Sequence, residues 1–411
     1  MATEPTAPVS ARETVPPPAV AAPTVSPGTA RAATPDARAA DAFVRRWIRP
    51  AWYPALAYAV SRVLGALAIA SVGAIQGKSP FDHLVAVWDG GWYTAIAEQG
   101  YPHRLPLGPH GRAAQSVFGF FPGYPLMVRA ATSVTGMSTQ DAGFVLTTAG
   151  GLVATLGVWA IARKLCGDEV GRRSALLFVF FPGAFVFSFM YAEGVMLAFA
   201  VLALLAVMER RWFAAGLLAA VATAIRPNAC VLVVCFAWAA VAAIRERHEW
   251  RALVAPILAP LGAVSFFAYE GHRLGGTYGF WFRVQDEGWN QRFDFGVNTV
   301  KKVLWLVDDY SGVTAQAVLT AGFVAMVALL VLLWRWKPPA VLTIWTVGIL
   351  FLALTSEQQG ARPRYLLTAF PLVIAAAREL DGEVFRWVLT VSACLMMLMT
   401  VLVAHPLTLE P

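Results

Sequence analysis

The chain has 411 residues, of which 58% are hydrophobic and 14% charged, with a mean hydropathy of +0.60. Soluble globular domains run near half apolar and about a quarter charged, so this balance excludes a soluble enzyme and indicates an integral membrane protein. The formal net charge of +7 marks no nucleic-acid partner, because Arg and Lys fall in short segments between apolar runs, where they set the orientation of membrane helices.

Residues 1–45 are rich in Ala, Pro and Thr, lack apolar periodicity and contain no uninterrupted apolar core of a cleavable signal. A disordered cytoplasmic tail is expected there, ahead of one membrane domain over 46–411. RRWIRP at 45–50 precedes the first apolar segment, 51–75, so the positive-inside bias keeps the tail in the cytoplasm and runs the first helix outward. A first outer loop over 76–117 follows. The parity of crossings then assigns FGFFPGYPLMVRAATSVTG at 118–136 to an interfacial or re-entrant helix.

The basic stretches ARKLCGDEVGRR (162–173), MERRW (208–212) and IRERHEWR (244–251) belong inside, so the apolar runs between them form hairpins with tips outside. A helix over 252–270, a second outer loop over 271–312 and apolar segments near 313–334, 340–355, 364–379 and 384–404 complete the chain. The expectation is an all-α polytopic bundle of about eleven transmembrane helices, with an extracytoplasmic catalytic loop after the first. FFPG occurs twice, at 120–123 and 180–183, without a wider repeat, which reads as similar local geometry rather than an inverted transporter repeat.

Ionisable residues near the bilayer centre cost about 2.5–3.5 kcal/mol each, so they pair, line a cavity or act. Asp89 stands in WDGGWY. Trp88 and Trp92, four apart, fall on one helical face, and Gly90 and Gly91 remove bulk beside the carboxylate, which lets a substrate approach. The plainer reading is an N-cap aspartate among interfacial tryptophans. Glu193 in MYAEG has no Lys or Arg within a helical turn, so its partner must come from elsewhere in the fold, unless it is a simple helix-end carboxylate.

Arg226 in IRPN and Arg362 and Arg364 in ARPRY lie at outer tips against the positive-inside bias. Forked guanidinium donors there suit a phosphate, the alternative being snorkelling to lipid headgroups, with Glu357 near enough in sequence to pair with Arg362 or Arg364. His83, His103 and His110, and the pair Asp308 and Asp309, read as solvated loop or capping residues. The cysteines Cys166, Cys230, Cys235 and Cys394 have neither disulfide nor metal-ligand spacing. No metal site and no cofactor is expected.

WDGGWYTAIAEQGY, FGFFPGYPLM, FPGAFVFSFMYAEGVMLAF, AIRPN and RPRYLLTAFPL, in that order over about 80–370, resemble the PIG-V-like mannosyltransferases of the GT-C class. That resemblance implies a polytopic enzyme that takes a sugar, typically mannose, from a polyprenyl-phosphate carrier on the outer leaflet, with an aspartate of the first outer loop as base, here Asp89. The family's tyrosine-serine-glutamate element stands here as Tyr191, Ala192 and Glu193, without its serine, and its arginine-serine-asparagine element as Arg226, Pro227 and Asn228.

The expected reaction is inverting, metal-independent transfer to a hydroxyl of an envelope glycolipid or lipoglycan, the Ala- and Arg-rich, Lys-poor composition pointing to the cell membrane of a high-GC bacterium. Asp89 would be the base. Trp88, Trp92 and Tyr93 would surround the sugar, and Glu193, Arg226, Asn228, Arg362 and Arg364 would bind the substrate. Two rival classes remain: a lipid or sugar transporter, for which midplane charges and matching halves are expected, and a non-catalytic subunit of an envelope-assembly complex.

Overall fold

The computed structural model describes residues 49–77, 79, 86–275, 279–304, 312–357 and 360–405, together with Met1. The tail expected over 1–45, apart from Met1, lies outside the described residues, as do His83, Asp308 and Asp309. The chain falls into two units, Met1–Pro50 and Ala51–Pro411, and every contact below lies within the second. The described residues are almost wholly helical, with two isolated β-bridges, Leu107 to Ala113 and Phe293 to Ser356.

Helix α1 (Arg49–Gln76) is followed by α2 (Asp89–Gln99) and α3 (Gly123–Thr135). Gly136 closes α3 in a left-handed conformation, and the Ser138 hydroxyl accepts from Asp141 N to open α4 (Thr139–Cys166). Then come α5 (Asp168–Phe180), a 3-10 segment Pro182–Ser188, α6 (Glu193–Met208), α7 (Trp212–Ile225), a 3-10 turn Pro227–Cys230 and α8 (Val231–Arg247). The second half holds α9 (Val254–Leu258), α10 (Leu261–Leu274), α11 (Phe280–Arg283), a π turn Val284–Gly288, α12 (Val297–Val303), α13 (Gly312–Trp336), α14 (Ala340–Leu354), α15 (Pro363–Thr368), α16 (Pro371–Glu379) and α17 (Gly382–Ala404).

Among the described residues, five helices are long and apolar enough to cross a membrane. Counting two bent pairs, Asp168–Phe180 with Pro182–Ser188 at 70° and Trp250–Leu258 with Leu261–Leu274 at 40°, raises this to seven. Glu193–Met208, Trp212–Ile225 and Ala340–Leu354 are apolar but shorter. Lengths alone therefore support five to seven spans, against the eleven expected. The continuous crossing expected over 364–379 is instead two short helices, α15 and α16, broken where Pro371 removes an amide donor and restricts the residue before it. Both are buried in the protein. The 118–136 segment contributes the 13-residue α3, which buries Tyr124, Pro125 and Val128 and exposes Leu126 and Val134.

The core is built from α4, α5, α6 and α7, with α16 packed on α5 and α13. Small residues bring the backbones together, as membrane helices require: a Cβ on Gly150 of α4 would lie 2.7 Å from the Gly194 carbonyl carbon of α6. The 70° bend after α5 frees carbonyls, and α1 supplies their donor. Arg62, buried, donates from Nη1 to Ala184 O (2.9 Å) and Ser188 Oγ (2.6 Å) and from Nη2 to Val179 O (3.4 Å). Its guanidinium lies over the Tyr58 and Phe187 rings at 5.4 and 5.5 Å.

Ion pairs tie the basic stretches to one another at one end of the bundle, through Lys164 with Glu209 (3.1 Å) and Arg210 with Glu249. Helices α6 and α7 lead away from that end, to Glu193 and Arg226. Sixteen residues at 1.5 Å each carry Glu193 about 24 Å from the basic loop.

Candidate active site

Each of the four charged residues that meet here sits at a helix end. Asp89 and Glu193 are the first residues of α2 and α6, and Arg226 follows the last residue of α7. Carboxylates at amino ends and a cation at a carboxyl end are the favourable placements in the helix dipole. Arg364 is the second residue of the short α15. Arg226 Nη1 lies 2.8 Å from Glu193 Oε2 and 3.9 Å from Asp89 Oδ2. Arg364 Nη1 lies 3.7 Å from both Glu193 Oε1 and Asp89 Oδ2. Two carboxylates thus face two guanidiniums. The partner of Glu193 does come from elsewhere in the fold.

Exposure divides the roles. The Glu193 side chain is 3% exposed, Arg364 9%, Arg226 14% and Asp89 23%, so Asp89 is the carboxylate that faces the cavity while the buried Glu193 neutralises the arginines from behind the lining. The N-cap alternative for Asp89 is not met, since the cap residue is Trp88, with no side-chain capping bond to the helix. Trp88 holds φ +57° and ψ −119°, a conformation that costs a non-glycine residue about 1–3 kcal/mol. Its indole Nε1 donates to Val403 O near the end of α17 (3.1 Å), which pins the turn that presents Asp89.

Trp88 and Trp92 do not share one helical face, because Trp88 precedes α2; both line the cavity. Trp92 stacks on Phe120 (6.0 Å between centroids) and meets Trp289 edge-on (5.3 Å). Tyr93 packs between Phe120 and Tyr124, and burial pushes its phenol well above the ordinary value. Gly91 is uncrowded, a Cβ there meeting only Ala86 O at 3.7 Å.

The cavity, about 370 Å³, is lined by Asp89, Arg226, Arg364 and also Arg362. Asn228 does not line it; its Oδ1 is buried without a hydrogen-bond partner. Glu357 lies toward the second loop, where its carbonyl accepts from Lys302 Nζ (3.2 Å). His103 and His110 stay outside the cavity. Among the described residues, no group of three or more His, Cys, Asp or Glu side chains is placed to hold a metal ion.

Much of the lining comes from residues that hydropathy leaves unmarked: Gln115 of the first loop, Gly119 and Phe120 just beyond it, and Trp281, Gln285, Trp289, Asn290 and Gln291 of the second. The tryptophan spacing in FWFRVQDEGWN was the available signal. The two loops dock through Gly119, whose carbonyl accepts from Gln285 Nε2 (2.9 Å) and Trp281 Nε1 (3.3 Å), and whose missing Cβ would fall 2.6 Å from Trp289 Nε1. Glu287 Oε2 accepts from Ala113 N (2.5 Å). That amide, with Arg283, holds the Glu287 carboxyl below its ordinary range.

Three glycines set the arginine-bearing backbone. A Cβ on Gly183 would lie 2.5 Å from the Pro363 carbonyl carbon and 2.9 Å from Arg364 N. One on Gly123 would lie 2.7 Å from Ala224 O, two residues before Arg226, and one on Gly322 would overlap Ala361 O, beside Arg362. Gly123 and Gly183 are the last residues of the two FFPG stretches, so each copy closes against the backbone that carries one of the paired arginines.

Residues 121–269 match the family model described as dolichyl-phosphate-mannose-protein mannosyltransferase; this segment includes Glu193 and Arg226 but neither Asp89 nor Arg364. No curated protein matches the chain. Among solved structures, ArnT from Cupriavidus metallidurans bound to undecaprenyl phosphate is similar at 17% identity with a TM-score of 0.52, over 81% of this chain and 61% of that one. ArnT from the same organism in the apo state is similar at 15% identity with a TM-score of 0.51, over 90% and 78%. This chain therefore spans about three fifths of the length of the undecaprenyl-phosphate-bound ArnT chain. At these identities the likeness is one of fold, and the chain shares the polytopic helical fold of ArnT.

Proposed function

We propose that the protein is a glycosyltransferase that moves a sugar, mannose in the first instance, from a polyprenyl-phosphate carrier to a hydroxyl of an envelope glycolipid or lipoglycan. The observation that carries this reading is the Asp89 carboxylate, partly exposed in a tryptophan-lined cavity and within 4 Å of two arginines. A GT-C fold like that of ArnT bound to undecaprenyl phosphate supports a lipid phosphate as the leaving group. The family match supports mannose, and the PIG-V-like order of motifs narrows it further.

In this mechanism an acceptor hydroxyl oxygen attacks the anomeric carbon from the face opposite the phosphate, while Asp89 takes the hydroxyl proton. The bond from the anomeric carbon to the phosphate oxygen breaks, its electron pair stays on the phosphate, and configuration inverts. General-base assistance of this kind contributes about 10²–10⁴-fold. The paired charges make proton transfer and departure mutually supportive. With both carboxylates ionised the four side chains sum to zero; once Asp89 is protonated, the arginines hold one uncompensated positive charge as the phosphate gains one negative. Arg226 and Arg364, with Arg362 at the rim, then stabilise the departing group without reorganising, and no divalent ion takes part.

Glu193 keeps Arg226 in place rather than reacting. Trp88, Trp92 and Tyr93 shield the activated donor from water. The site lies at the end of α6 and α7 opposite the basic stretches, which favours an extracytoplasmic active site in a bacterial cell membrane.

The test uses purified wild type and Asp89→Asn in lipid, with radiolabelled polyprenyl-phosphate mannose, a membrane glycolipid extract as acceptor and chelator throughout. Transfer by wild type, lost in the variant while the donor still binds, supports the mechanism. Equal transfer by both proteins removes Asp89 from the role of base.

A further inference from the structure

Resting on that reading, we infer that the second-loop segment 280–291, docked on Gly119, is the sugar-recognising wall of the cavity, and that the ring it takes is an uncharged polyol. The stretch from Arg283 to Arg292 contains four charged side chains, and all four are turned away from the cavity. Arg283 pairs with Glu287 (3.0 Å) and donates to Gly111 O (2.9 Å), Glu287 also takes the Ala113 amide, and Asp286 pairs with Arg292. The residues of the same stretch that do line the cavity are Gln285, Trp289, Asn290 and Gln291, all uncharged. The first loop adds Gln115 and Phe120.

A primary amide offers two donors and an acceptor, which matches hydroxyls that both give and take a hydrogen bond. The faces of Trp92, Phe120 and Trp289 suit the C–H side of a pyranose. An amino sugar or a sugar acid would find no opposite charge on this wall, because the charged lining residues are Asp89, Arg226, Arg362 and Arg364, which come from other elements. The wall therefore separates two tasks, phosphate binding by the arginines and ring selection by the amides.

The experiment measures binding of bare polyprenyl phosphate, polyprenyl-phosphate mannose and a polyprenyl-phosphate amino sugar to the full chain in nanodiscs. The proteins compared are wild type, the double variant Gln115→Ala with Asn290→Gly, and Asn290→Asp. Asn290 holds φ +51°, which glycine adopts without strain, so the variant removes the amide and keeps the loop. The expected result is about a tenfold loss of affinity for the mannose carrier in the double variant, from two hydrogen bonds, with bare carrier bound as by wild type. Asn290→Asp should gain for the amino sugar and lose for mannose.

Equal loss for bare and sugar-bearing carrier, unchanged binding of both, or wild-type preference for the amino sugar would each overturn the inference. If wild type binds none of the three lipids, the polyprenyl-phosphate reading itself falls and takes the wall with it. That outcome is distinct from failure of the wall alone, in which bare carrier still binds.

Discussion

Gly183→Ala should disable the site without touching any charged side chain. The added Cβ would lie 2.5 Å from the Pro363 carbonyl carbon and 2.9 Å from Arg364 N. Ordinary contact begins near 3.4 Å, so the start of α15 must retreat by at least about 0.9 Å. Carried through to the guanidinium, that shift stretches both Arg364 contacts from 3.7 Å to about 4.6 Å, which weakens each by about 1 kcal/mol at an effective dielectric near 20. Misplacing a positioned group by about 1 Å costs on the order of 10²-fold in rate, and overpacking costs about 1–3 kcal/mol in stability.

The assay is sugar transfer at saturating donor beside thermal unfolding in the same lipid, with Gly157→Ala as control. A Cβ on Gly157 meets the Val201 side chain at 2.5 Å, a milder, side-chain crowding between α4 and α6 that bears on no arginine. Gly183→Ala is expected to lose about 10²-fold in kcat, a larger loss than its fall in Tm, scaled by the control, accounts for. If activity in both variants falls only in proportion to stability, Gly183 does not position Arg364.

Other substitutions test the charge arrangement and the docking of the second loop. Glu193→Gln leaves two buried guanidiniums facing Asp89 alone and should cost up to about 3–5 kcal/mol of stability, read as the fall in Tm in lipid; an unchanged Tm would show that Glu193 is dispensable to the pair. The Glu287 carboxyl titrates below its ordinary 4.5 in the folded protein, so its contribution to docking the second loop is present above about pH 4.5 and disappears as pH falls through the depressed value. Hydrogen exchange at the amides of 281–289 should rise over that acid window in wild type and show no such step in Glu287→Gln. A step of the same size in the variant would assign it to another carboxylate.

The charged residues of the site were legible because charge is rare in a chain this apolar: Asp89, Glu193, Arg226 and Arg364 stood out one by one, and the structure brings each of the two carboxylates within 4 Å of both arginines. Long uninterrupted runs were equally legible, 51–75 against Arg49–Gln76 and 384–404 against Gly382–Ala404. Broken helices were not. Hydropathy sums over Pro371 and reads one span over 364–379 where the chain forms two short helices, the first of which carries Arg364. The amide wall escaped because glutamines and asparagines in a loop look like solvent-facing residues until the docking on Gly119 turns them inward. Asn228, read from the resemblance as a substrate ligand, is not among the residues that line the cavity.

Arg62 bears on the order in which the bundle can assemble. It is near the middle of α1, about 20 Å from either end at 1.5 Å per residue, beyond the reach of a side chain that would otherwise stretch to the headgroups. A guanidinium at such depth costs about 2.5–3.5 kcal/mol until it is solvated by protein. The carbonyls that solvate it belong to residues 117 and 122 positions later in the chain. Synthesis therefore delivers the cation long before its acceptors, and the first helix reaches its final seat only when the bent pair behind α5 has arrived. The bend that places Gly183 beside Arg364 is the same bend that receives Arg62, so the seat of the first helix and the support of the site share one piece of backbone.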